Sequence, residues 1–72
     1  MTVEQYAAFC AECAVFPTWI GQVLGRYQIH TGAERGALDL HWRSRMEGNE
    51  ELKRLWLYHF GRYEQWYKQN RS

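Results

Sequence analysis

The sequence predicts an all-α fold, a small bundle of three to four helices that ends in a long, aromatic-rich amphipathic helix. Three observations carry this. Apolar residues recur at three- and four-residue steps, a capping residue stands before three of the predicted helices, and the sole proline, Pro17, falls between two of them. No Pro/Gly/Ser linker and no internal repeat divides the 72 residues, so one domain covering 1–72 is expected.

Thr2 followed three residues on by Gln5 reads as a capping box, which starts a first helix over about residues 3–14. Val3, Tyr6, Ala7, Cys10 and Ala14 fall on one face of it, with Phe9 and Cys13 at the edge. Pro17 lacks the N–H that a first helical position leaves unpaired anyway, so it predicts the start of a second helix. Trp19, Ile20, Val23, Leu24 and Tyr27 are the stripe of that helix and Gly32 is its expected C-cap. Gly21 and Gly25 within it are read as sites of close helix approach or of fraying.

Residues 33–47 admit two readings. Thr31 with Glu34 is a second possible capping box, and Leu38, Trp42 and Met46 stand at i, i+4 and i+8, which predicts a helix. Leu38, Leu40 and Trp42 also alternate with Asp39 and His41, so a short β-hairpin around residues 29–42, turning at Gly32 to Gly36, is the alternative.

The last break is at EGNEEL. Asn49 is a strong N-cap, Glu50 and Glu51 suit the positive end of the helix macrodipole, and Lys68 and Arg71 suit the negative end. A helix from 50 to about 69 follows, roughly 30 Å long. Residues 51–67 hold six of the chain's twelve aromatic side chains. Winding at about 100° per residue sets Leu52, Leu55, Trp56, His59, Phe60, Tyr63, Trp66 and Tyr67 within an arc of about 140°. Each large aromatic has about 150–250 Å² to hide, more than three short neighbours rich in Ala, Val and Leu offer. Part of the stripe should therefore stay uncovered.

Composition narrows the function. Nine Lys plus Arg against eight Asp plus Glu leave a formal charge of +1, too balanced to draw the chain onto nucleic acid or an anionic membrane. No apolar run approaches the roughly 20 residues of a membrane span, and MTVEQYAAFC lacks the pattern of a secretory signal, so a cytoplasmic protein with no membrane partner is expected. Cys10 and Cys13 with His30, His41 and His59 offer the ligand types of a zinc site, but the histidine spacing is wrong for one. No metal, no cofactor and no catalytic residues are assigned, and the chain is not expected to be an enzyme.

The expectation is a small protein-interaction module, a homodimeric regulator or inhibitor of the kind mobile elements encode. Its partners are itself and another protein. The binding surface should centre on Trp56, Tyr63 and Trp66, with Tyr58, Phe60 and Tyr67 extending it or anchoring the core. The rival is DNA binding. Two helices joined by HTG would make a helix-turn-helix presenting Arg35, Arg43 and Arg45, or IHTGAERGALDL would be the wing of a winged module. VEQYA, with WI further on, resembles excisionase-type DNA-binding proteins over less than a third of the chain. That resemblance implies a DNA-binding regulator, although Pro17 interrupts the second helix of the pattern.

Overall fold

The computed structural model describes residues 1–70, and their architecture is all-α. Helix α1 spans Val3–Val15, a 3₁₀ turn covers Pro17–Trp19, α2 spans Ile20–Arg26, α3 Gly32–Glu47 and α4 Glu50–Asn70. Among the described residues there is no strand, so the hairpin around residues 29–42 is corrected to helix. The reason is local. The Thr31 hydroxyl accepts the Glu34 N–H at 3.1 Å and starts a helix at Gly32, where the hairpin needed a turn. Leu38, Trp42 and Met46 then share the inner side, while Leu40 and His41 face outward.

Helix α1 is the axis of the molecule. Its capping box forms in full: the Thr2 hydroxyl accepts the Gln5 N–H at 3.2 Å, and Gln5 Oε1 accepts the Thr2 N–H at 2.8 Å. The helix is enclosed on more sides than its predicted single stripe. Phe9 and Cys13 are central, and Ala8, Ala11, Glu12 and Val15 are buried too, whereas Ala14 is exposed. Ala7 and Ala11 are fully buried, and side chains this small let α4 lie close along α1. Trp56 neighbours Tyr6 and Tyr67 neighbours Phe16, so the two helices run in broadly the same direction.

The stretch after Pro17 departs from its reading. Pro17 begins a 3₁₀ turn, not an α-helix, and α2 closes at Arg26. The residue that takes the left-handed conformation is Gln28, with φ 59°, while Gly32 begins α3. The Gln28 N–H bonds the Gly25 carbonyl and the Ile29 N–H bonds the Leu24 carbonyl, which is a Schellman close with buried Ile29 as its apolar contact. Gly21 and Gly25 both face open space, so helix packing does not account for either.

Tyr6, Phe9, Cys13, Val23, Ile29 and Trp42 make the core, with the Tyr6 ring stacked on Trp42 at 5.5 Å. The Tyr6 hydroxyl donates to Asp39 at 2.8 Å and ties α1 to α3. Asn49 caps α4 by accepting the Leu52 N–H at 3.1 Å. Arg71, read as part of the basic end of α4, lies outside the described residues. The Cα atoms extend 37 × 28 × 15 Å, and α4 packs mainly against α1 and less extensively against α3.

Candidate protein-interaction surface

The six aromatic residues predicted to bind a partner divide into two sets. Trp56, Phe60, Tyr63 and Tyr67 turn inward and are half-buried. Trp56 stacks on Phe60 at 5.0 Å, lies 6.3 Å from the Tyr6 ring, and has a buried indole N–H with no hydrogen-bond partner. Tyr58 and Trp66 stand out, each 56 % exposed, with Leu55 and Leu57 exposed beside them. The inward tyrosines keep polar tips engaged. The Tyr63 hydroxyl donates to Glu4 at 2.9 Å, and that bond, with some burial, raises its phenol above the ordinary tyrosine value. The Tyr67 hydroxyl donates to Glu12 at 3.2 Å.

Glu12 is the residue that sequence reading missed. It is 3 % exposed, the only buried charged side chain among the described residues, and pairs with Arg26 of α2 as well as Tyr67 of α4. Its position three residues after Phe9 and next to Cys13 was the available signal, but a carboxylate in that place reads as solvent-facing until three helices are known to meet there. A buried carboxylate is tolerated only when paired and hydrogen-bonded, and both conditions are met here.

Above this junction lies an open groove of about 1020 Å³ whose walls include Val15, Phe16, Trp19, Trp66 and Tyr67. Trp19 reaches this wall because the 3₁₀ turn carries it off the α2 stripe, leaving it 56 % exposed. A second hollow of about 410 Å³, between Glu4, His59, Arg62 and Tyr63, shares Trp66 and Tyr67 with the first. Trp66 is thus the ridge between two depressions. Beside it, Arg62 lies 5.5 Å from the Tyr58 ring and donates to its hydroxyl at 3.2 Å.

Cys10 and Cys13 are free thiols; burial pushes Cys10 up to about 11 and raises Cys13 as well, so neither favours its reactive thiolate. Among the described residues no three His, Cys, Asp or Glu side chains gather to hold a metal ion, and no single helix is long and apolar enough to cross a membrane. Of the three arginines available to DNA, Arg35 lies 4.0 Å from Asp39 and Arg45 sits over the Trp42 ring at 4.7 Å. No family model, no curated protein and no solved structure matches the chain.

Proposed function

We propose that the chain is a small, non-enzymatic protein-interaction module, a homodimeric regulator or inhibitor that binds a partner protein through the aromatic side of α4. One observation carries the reading. Trp66 is 56 % exposed on a ridge between two hollows, and Tyr58 is equally exposed on the same helix, although the chain is too small to leave such surface without cost. Tryptophan and tyrosine are the side chains that dominate binding hot spots, because they give large contact area for little lost entropy. A second copy is the simplest cover, since a small chain gains stability on association.

DNA binding has less support. A helix-turn-helix needs its two helices packed on each other across a short turn, and α2 and α3 scarcely touch. Light scattering on wild type, Trp66→Ala and Tyr58→Ala tests the proposal. Wild type is expected as a dimer and Trp66→Ala as a monomer with unchanged helix content. A wild-type monomer at high concentration would remove the self-association.

A further inference from the structure

Resting on the self-association proposed above, we infer that the second copy docks antiparallel along the outer flank of α4, across a two-fold axis level with Phe60. Winding at about 100° per residue puts Glu51, Leu55, Tyr58, Arg62, Trp66 and Gln69 in a strip about 80° wide at the edge of the buried stripe. Its apolar members are uncovered: Leu55 is 44 % exposed, and Tyr58 and Trp66 are 56 % exposed.

The strip is complementary to its own reverse. Turning α4 end for end about residue 60 brings Leu55 within one residue's rise of Trp66 and opposes Tyr58 to Arg62 and Glu51 to Gln69. These pairs are apolar on apolar, guanidinium on phenol ring, and carboxylate on amide. Arg62 already lies against the Tyr58 ring within one chain, so cation and ring are both held in the strip before the partner arrives. A parallel two-fold opposes Arg62 to Arg62 and Glu51 to Glu51, and like charges across an interface disfavour it. Antiparallel docking also opposes the helix macrodipoles, setting the acidic first turn of one α4 beside the carboxyl end of the other. A formal charge of +1 leaves little repulsion between whole chains.

Glu51 and Gln69 are both exposed, so Glu51→Cys and Gln69→Cys leave the fold and the apolar contacts alone. Equal amounts of the two variants, mixed and mildly oxidised, should give the mixed disulfide as the dominant linked species, at least severalfold over either homodimer and over wild type. At the shallow crossing of about 20° common in helix pairs, the two positions remain within reach. Glu51→Cys linking mainly to itself would establish a parallel dimer and overturn this geometry while keeping self-association. A dimer by light scattering with no linkage in any mixture would move the interface off this strip. A monomer would overturn both this inference and the dimer on which it rests.

Discussion

The Tyr67 hydroxyl, near the end of α4, donates at 3.2 Å to a Glu12 carboxylate that also pairs with Arg26. Three helices are joined at one buried charge, and the aromatic groove sits directly over the junction.

Removing the cation from this junction should cost more than removing the whole pair. Arg26→Ala leaves Glu12 buried with only the Tyr67 hydroxyl, and because Arg26 is itself 64 % exposed the loss is expected at about 2 kcal/mol, below that of a fully buried pair. Glu12→Met combined with Arg26→Met should recover most of it, as apolar replacements fill the space without a charge to desolvate. Urea melts of the three proteins check the order.

Burial raises the Tyr6, Tyr27 and Tyr67 phenols above the ordinary 10.0, and the Cys10 thiol from 9.0 to about 11. In each case the fold favours the protonated form, so the unfolded chain releases its protons first. The stability these groups contribute is fully present below about pH 9. It falls as pH rises through 9 to 11 for the thiol and beyond 10 for the phenols. Thermal midpoints should therefore decline on the alkaline side, and phenolate absorbance should appear together with loss of helix.

The core and the outer flank should respond very unequally to truncation. Phe9 is 1 % exposed, and Phe9→Ala is expected to cost about 3–5 kcal/mol, most of what a chain this size has. Trp66→Ala should cost under about 1 kcal/mol at a concentration where the protein is monomeric. Denaturant midpoints at low protein concentration measure both.

Two backbone positions should tolerate improvement. Gly61 lies inside α4, and a Cβ there meets nothing within 4 Å, so Gly61→Ala should stabilise by about 0.5–1 kcal/mol. Gln28 holds φ 59°, where glycine has no steric cost, so Gln28→Gly should stabilise slightly despite its looser unfolded chain. Thermal melts of the two variants test this.

What could be read from the sequence follows from which signals are local. Thr2, Thr31 and Asn49 cap the helices they were expected to cap, because a side chain accepting an N–H three residues on depends on nothing distant. The hairpin reading of residues 29–42 survived only while alternation and helical spacing could not be separated for so short a run. The left-handed C-cap position expected at Gly32 falls at Gln28 instead, and the burial of Glu12, not read from the sequence, is decided by the meeting of α1, α2 and α4. Within the candidate surface, spacing gathered the six aromatic residues on one helix. It could not tell Trp56, held against Tyr6, from Trp66, which stands clear, since that depends on how far α1 extends beside α4.

The central claim, that α4 carries more aromatic surface than one chain covers, is tested most directly by sedimentation equilibrium over about a hundredfold range of concentration. Wild type should shift from one to two chain masses as concentration rises, while Trp66→Ala stays at one. A wild-type protein that remains at one chain mass throughout, folded and soluble, would contradict the account.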